Sequence, residues 1–188
     1  MDIVARAKSI LLSPNTEWPV IAAERTTVGE LYTGYIMPLS AIPPLATLIG
    51  FSLLFGRFGF GFGLIGAIVS WVLGLAGVYV TALIAQWLAP KFGGVGDLAE
   101  ALKLIAYAHT AGWVGGIFLL IPFLGIITFL MELYGLYLLY AGATPAAGVP
   151  QERAVTFTVA LVVCVIVVFI VIGLIMRLLG LGAMAMMM

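Results

Sequence analysis

Two ionisable side chains lie deep inside long apolar stretches of this sequence, and they are its strongest candidates for chemistry. Glu132 is nine residues from either end of one apolar stretch, and His109 lies about 11 residues into the stretch before it. A tight turn between the two stretches would bring both side chains to the same depth in a bilayer. Ionisable groups at that depth indicate a functional site by default. We therefore predict an intramembrane polar site formed by Glu132 and His109, directly or through Tyr107, Thr110 or water.

The sequence leaves three interpretations of this pair open. The site is sensitive to protons or ions, since histidine titrates near neutral pH and a carboxylate is costly to bury in lipid. Alternatively, the pair is a satisfied polar clamp that holds two helices together. In the third interpretation, Glu132 and His109 do not meet at all.

No motif of a known enzyme accompanies these residues. One histidine and one cysteine cannot form a zinc site of the ordinary type. No Gly-x-Ser-x-Gly motif is present, and the glycines of residues 55–66 are not followed by the Lys-Ser/Thr of a phosphate-binding loop. We therefore expect no catalytic residues, no metal site and no cofactor, and we expect that the protein is not an enzyme.

Three prolines interrupt the apolar stretch that begins near residue 31, namely Pro38, Pro43 and Pro44. Each proline removes an amide donor and clashes with the carbonyl four residues earlier, so a helix here must be kinked or broken. Carbonyls freed in this way need protein or water as partners within a membrane. The break either exposes carbonyls for an ion or substrate site or only shapes the helix bundle.

Composition identifies the solvent that surrounds these residues. Hydrophobic residues make up 64% of the 188 residues, charged residues make up 9%, and the mean hydropathy is +1.25. Soluble domains average roughly 45–50% apolar and 25% charged residues. A soluble enzyme and a disordered chain are excluded, and the single cysteine, Cys164, excludes a disulfide scaffold. The net charge of zero and the lack of a basic patch give no indication of nucleic-acid binding.

Five stretches are long and apolar enough to cross a bilayer, at 31–54, 61–88, 98–121, 123–141 and 154–176. They should be helical, because backbone polar groups in lipid must be satisfied within the segment, and they are too long and continuous for barrel strands. We predict an all-α polytopic membrane bundle of five transmembrane helices with short N-terminal amphipathic interfacial helices. Residues 1–30 form the interfacial segment and residues 31–188 the transmembrane part of a single domain.

The distribution of lysine and arginine predicts the orientation. With five spans the termini lie on opposite sides, and a cytoplasmic N-terminus places six basic residues on the cytoplasmic side and two on the other. The six are Arg6, Lys8, Arg25, Lys91, Lys103 and Arg153. The positive-inside rule therefore favours a cytoplasmic N-terminus and a C-terminus on the far side of the membrane. We expect Lys103, near the start of the third span, to extend towards the cytoplasmic interface.

The first 30 residues predict two short helices. Apolar residues of the first form one stripe, and Arg6 lies off it. Ser13-Pro14 ends this helix, and a second helix over residues 17–25, capped by Asn15 or Thr16, places Trp18 and Ile21 on one face. Trp18 is predicted to anchor this segment in the membrane interface. The alternatives are that the segment packs under the bundle as a structural foot, or that it binds a partner.

Small residues predict close helix packing in the second and third spans. Gly66, Ser70 and Gly74 recur every four residues in the second span, and Gly112 and Gly116 do so in the third. Such faces allow helix backbones to approach closely. We expect these two spans to form the central packing contact.

Four motifs resemble those of the prokaryotic Yip family, named for Ypt/Rab-interacting proteins. They are LLSPNTEW at 11–18, GYIMPL at 34–39, LIAYAH at 104–109 and LYGLYL at 133–138. The resemblance extends over most of the chain and implies five helices with a cytoplasmic N-terminus. It also implies no settled biochemical activity for the prokaryotic members.

Eukaryotic relatives are associated with Rab-type GTPases, vesicle transport and membrane shaping. Their Asp-Leu-Tyr-Gly-Pro signature is matched only loosely by residues 30–35, and Ala111 replaces an expected proline. The long cytosolic N-terminal region of those relatives is reduced to about 30 residues here. GTPase binding is therefore not carried over to this chain.

Two functions follow from the sequence. The first is a non-enzymatic scaffold in the inner membrane that organises lipid or binds partners, either a second copy or other membrane proteins. The second is a small channel, transporter or lipid-translocating protein that uses the polar site at Glu132 and His109. A path lined by these residues would distinguish the second function from the first.

Overall fold

The computed structural model describes residues 2–178, and all regular structure within them is helical. The helices are α1 (Ile3–Leu12), α2 (Pro14–Ala23), α3 (Val28–Leu31), α4 (Met37–Ser40), α5 (Ile42–Leu88), α6 (Leu98–Gly115), α7 (Gly125–Ala143) and α8 (Gln151–Leu178). Five segments are long and apolar enough to span a membrane: spans one to five, at Val28–Leu54, Gly63–Phe92, Leu98–Leu120, Gly125–Ala143 and Gln151–Ile172. The predicted all-α architecture of five membrane-spanning helices is confirmed.

Spans one and two form an antiparallel hairpin within the long helix α5. The helix is interrupted at Gly56, whose φ of 60° and ψ of −145° are non-helical and are accessible to glycine. Beyond this point the chain returns along span one. The Trp71 indole meets Ser40, and the Tyr32 hydroxyl donates to the carbonyl oxygen of Leu75 at 2.9 Å.

Span one is irregular around its prolines. A capping box between Thr27 and Glu30 starts the helix, which then passes through a π-helical turn at Tyr32–Ile36. The short helix α4 follows and includes Pro38, and the chain turns at Ala41 before helix α5 resumes with Pro43 and Pro44 in its first turn. A regular α-helix would lack a backbone N–H donor at each proline. The wider π-helical turn and the break before Pro43 and Pro44 accommodate these missing hydrogen bonds.

Span three is the central helix of the bundle. Its most apolar 18-residue stretch is 72% buried, against at most 33% in each of the other spans. Glycines allow its neighbours to approach: the Pro43 ring of span one lies on Gly116, and Met131 of span four lies on Gly115. Span two does pack into the core with span three through Val78, Ala82 and Ala85, whereas its Gly66 and Gly74 face open space.

Helices α1 and α2, which we call the N-terminal platform, pack on spans three and four. Trp18 fits over Gly142, where an added Cβ atom would come within 2.5 Å of the indole. The Tyr134 hydroxyl donates to the carbonyl oxygen of Leu11 at 2.9 Å. Helix α2 begins at Pro14, three residues before the predicted start, because proline is favoured in the first turn of a helix, where its missing N–H is not needed.

Candidate functional site

Two adjoining cavities lie between the five spans, and we call the two together the cleft. The first, of about 880 Å³, is lined by spans one to four, and the second, of about 530 Å³, by spans two to five. Gly74, Trp113 and Glu132 line both cavities. All five spans therefore contribute to the cleft, and Glu132 lies where its two halves meet.

The Glu132 carboxylate lies over the backbone of span three. A Cβ atom added to Gly112 would lie 2.0 Å from its Oε1 atom, so the missing side chain of Gly112 makes room for the carboxylate. Glu132 is exposed to the cleft. Among residues 2–178, no hydrogen bond or ion pair to this carboxylate is present, and the cleft surface around it is mostly apolar. The carboxylate is therefore available to a bound molecule.

His109 lines the second cavity together with Glu132. Its Nδ1 atom lies 2.9 Å from the carbonyl oxygen of Ile105, and its ring centroid lies 5.8 Å from that of Trp113. Donation from Nδ1 to Ile105 leaves Nε2 as the free ring nitrogen in the neutral form. The structure places His109 and Glu132 on one cavity, with no direct hydrogen bond between them in the described part of the chain.

Tyr107 and Thr110 do not belong to this site, so the four predicted residues separate into two groups. The Tyr107 ring packs against Tyr35, with centroids 4.5 Å apart, and the Thr110 hydroxyl lies 2.7 Å from the Tyr35 hydroxyl. Both residues are buried on the side of span three that faces Tyr35 of span one, and Tyr107 also contacts Trp18 of the platform. The physical reason is helix geometry: residues 107 and 109 lie about 200° apart around the helix axis.

The wall of the first cavity carries the polar groups near the broken helix. Pro43 and Pro44 line this cavity, whereas Pro38 is exposed outside the lining. The Ser40 hydroxyl oxygen accepts a hydrogen bond from the Trp71 indole at 3.0 Å. The Thr47 hydroxyl donates to the carbonyl oxygen of Pro43 at 2.9 Å. The break therefore shapes the cleft, and side chains satisfy part of its polar surface.

Trp18 is not presented to the membrane interface, which corrects its predicted role as an anchor. Its side chain is 1% exposed and meets the Tyr107 ring edge-on, with centroids 6.2 Å apart and planes at 86°. Its Nε1 atom has no hydrogen-bond partner in the part of the chain that the structure describes. Glycine at position 142 creates the space that the indole fills. Trp18 therefore joins the platform to the bundle.

A network of charges fastens the platform to span three. Arg6 is 9% exposed and forms ion pairs with both Glu17 and Glu24. Lys103 is 1% exposed, donates to the backbone carbonyl of Glu24 and pairs with Glu100 at 2.8 Å. The expected extension of Lys103 to the interface is therefore wrong, because the lysine is buried between two partners, the Glu24 carbonyl after α2 and the Glu100 carboxylate of span three.

The charges around Arg6 stabilise its cation. Burial alone lowers the pKa of the guanidinium, but the nearby carboxylates of Glu24 and Glu17 outweigh burial and raise this pKa above its usual value. Arg6 was expected off the apolar stripe of α1 and is nevertheless buried, because it pairs with Glu17 of α2 and with Glu24, the residue that follows α2.

Sequence reasoning missed the two tryptophans of the cleft, Trp71 and Trp113. Trp113 lies four residues after His109, and residues at that spacing share a helix face. This signal was therefore available. Trp71 could not be placed before the hairpin of spans one and two was known. Within residues 2–178, no group of three or more His, Cys, Asp or Glu side chains is arranged to hold a metal ion.

Comparisons with known proteins agree with this architecture. Inner membrane protein YohC of Escherichia coli strain K12 is 26% identical over 156 residues, which cover 77% of this chain and 80% of the relative. YohC of E. coli O6:H1 strain CFT073 matches with the same identity and coverage. No solved structure shows significant similarity. Residues 8–174 match the Yip1 domain, and because this match covers most of the chain, including α2 and all five spans, the chain belongs to the Yip1 domain family of membrane proteins.

Proposed function

We propose that this Yip1-family protein is a non-enzymatic scaffold of the inner membrane that organises the lipid around it through its N-terminal platform. The observation that carries the proposal is how the platform is attached: Lys103 of span three donates to the Glu24 carbonyl, and the Glu24 carboxylate pairs with Arg6 of α1. A platform tethered only by a flexible chain could not impose a shape on lipid, whereas one fixed to the bundle can.

The outer face of the platform is suited to lipid. Val4 and Leu12 of α1 are 72% and 71% exposed, and Val20 of α2 is 49% exposed. Lys8 lies on the same exposed side of α1 as Val4 and Leu12. Apolar side chains combined with a cation are typical of helices that lie in the membrane interface.

The depth of the platform agrees with this role. Its contacts on span three extend from Lys103 to Tyr107, a rise of roughly 6 Å along the helix. Interfacial helices insert about 5–10 Å into the boundary between headgroups and acyl chains. The platform would therefore displace lipid in one leaflet only, which favours curvature or thinning at the cytoplasmic surface.

Vesicle shape tests the proposal. Wild-type protein and the double variant Val4→Ser/Leu12→Ser are reconstituted at equal protein-to-lipid ratios, and vesicle diameters are measured by electron cryomicroscopy. We expect wild-type protein to reduce the mean diameter relative to protein-free vesicles, and the double variant to lose most of this effect. Asn15→Ser, at an exposed polar position of α2, is the matched control. Equal diameters for wild-type protein and the double variant would contradict the proposal.

The cleft favours a second candidate function, transport or lipid translocation across the membrane. All five spans line it, and a carboxylate lies at its junction. Proteoliposomes assayed for flux of ions, protons and fluorescent lipid test this candidate. It requires a flux that Glu132→Ala abolishes, and the absence of flux for all three species excludes it.

A further inference from the structure

We propose that the cleft binds a lipophilic monocation, held by the Glu132 carboxylate between the indoles of Trp71 and Trp113. Ligands of this class are hydrophobic amines, quaternary ammonium ions and phosphonium ions. The inference rests on the same cleft as the second candidate function, but it requires equilibrium binding only. Binding and movement across the membrane can therefore fail separately.

The sign of the ligand charge follows from the residues around the cleft. Its described lining contains one carboxylate, Glu132, and one imidazole, His109, and no lysine or arginine. A carboxylate without a partner in an apolar environment gains most from a positively charged ligand. An anion would find no lysine or arginine to pair with in this described lining.

The same charges argue against a phospholipid headgroup in the cleft. A zwitterionic headgroup could place its ammonium group near Glu132, but its phosphate would then be desolvated with no lysine or arginine among the described lining residues as a partner. A ligand with a single positive charge and an otherwise apolar body leaves no such group unpaired.

Aromatic side chains supply the second recognition element. Trp71, Trp113 and Phe51 line the first cavity together with Glu132. The faces of aromatic rings attract cations, tryptophan most strongly, and rings of this kind recognise quaternary ammonium groups in other proteins. The Trp71 indole is held in place by its bond to Ser40, so it is positioned before a ligand enters.

The size of the cleft sets the size of the ligand. The two cavities have volumes of about 880 and 530 Å³, and pockets for drug-sized ligands occupy roughly 300–1,000 Å³. Gly63, Gly66 and Gly74 keep one wall of the first cavity free of bulk, and Gly66 and Gly74 have no neighbour within 4 Å of an added Cβ atom. A body of two to four aromatic rings, or one alkyl chain, fits this space.

Equilibrium binding to nanodiscs tests the inference. Radiolabelled tetraphenylphosphonium is titrated against the full-length protein in nanodiscs, with empty nanodiscs subtracted and triphenylphosphine oxide as the neutral analogue. We expect saturable binding with one site per protein for the cation and none for the neutral analogue. Glu132→Gln should weaken binding at least tenfold, a loss of about 1.4 kcal/mol or more, because the amide keeps the shape of the carboxylate and removes the negative charge that attracts the cation.

Two further variants keep the test specific. Glu152→Gln removes an exposed carboxylate outside the cleft, at the start of α8, and should leave binding unchanged. Gly112→Ala displaces the Glu132 carboxylate without removing it and should also weaken binding. Equal affinity for wild-type protein and Glu132→Gln, tight binding of the neutral analogue, or no saturable binding to folded wild-type protein would each overturn the inference. Lipid flux without cation binding would also overturn it, while supporting translocation.

Discussion

Gly112 and Gly116 lie one turn apart on span three, yet an added methyl group meets different atoms at each. At Gly116 it would lie 2.4 Å from Cγ of Pro43 and 2.9 Å from its backbone Cα atom. At Gly112 the three nearest atoms all belong to the Glu132 carboxylate group. A proline fixed in the turn after a helix break cannot move aside, whereas a flexible carboxylate can.

The same substitution should therefore have unequal effects at these two positions. Gly116→Ala should destabilise the protein by about 1–3 kcal/mol through overpacking, and Gly112→Ala by much less. Thermal unfolding of the two purified variants in detergent measures the difference. Equal losses of stability would show that Pro43 can adjust and that the contact is not rigid.

Two substitutions of Trp18 should differ in how much they destabilise the protein. Trp18→Ala should cost about 3–5 kcal/mol, because it empties a site between Tyr107, Leu104 and Gly142. Trp18→Phe should change stability by only about 1 kcal/mol, since the lost volume is offset by removal of an unpaired buried N–H donor. The unfolding midpoints of both variants give the comparison. A phenylalanine variant as unstable as the alanine variant would mean that the indole N–H has a partner, such as a buried water.

At the scale of helices, the platform depends on the Arg6 ion pairs. Arg6→Gln removes the cation between Glu17 and Glu24, and removal of one partner leaves buried charge uncompensated. The effect is moderated because Glu24 is 36% exposed. We expect amide hydrogen exchange in residues 3–23 to accelerate at least tenfold, while exchange in span three changes little.

Lys8→Gln is the matched control for this experiment. It removes an exposed cation from the same helix and should leave exchange in the platform unchanged. Equal acceleration in both variants would indicate a general effect of net charge rather than loss of the Arg6 pairs.

The sequence predicts the spans well because length and hydropathy alone determine what crosses a bilayer. The span ends differ from the predicted ends by a few residues, and the irregular part of span one lies among its prolines. The sequence predicts less well how each helix is rotated about its own axis, that is, which residues face which neighbour. His109 and Tyr107 were assigned to one site although their spacing places them on different faces, so helix geometry could have separated them.

The buried charges could not be predicted in the same way. Lys103 lies near the start of span three, where a lysine could reach the interface, and only docking of the platform shows that Glu24 covers it. From the sequence alone, Trp18 likewise looks like an interfacial anchor. Only the folded structure shows that Gly142, far along the chain, provides a buried space for its indole. Contacts of this kind depend on tertiary packing, which periodicity does not contain.

For the whole molecule, five spans require the termini to lie on opposite sides of the membrane. With the N-terminus cytoplasmic, a protease-sensitive tag at the N-terminus should be protected in intact spheroplasts, and the same tag at the C-terminus should be cleaved. Lysis should expose both tags, which is the control. Cleavage of both tags in intact spheroplasts would contradict a five-span topology, and cleavage of the N-terminal tag alone would reverse the orientation.

The distance along the chain between the platform and its binding surface has a consequence for biogenesis. Lys103 lies 79 residues after Glu24, and Tyr134 lies 123 residues after Leu11. At about 5–20 residues per second, roughly 4–16 s pass between synthesis of Glu24 and arrival of its lysine partner. During that interval no helix bundle covers Trp18 and the apolar faces of α1 and α2. These surfaces must therefore contact the bilayer surface or the insertion machinery until span three has been made.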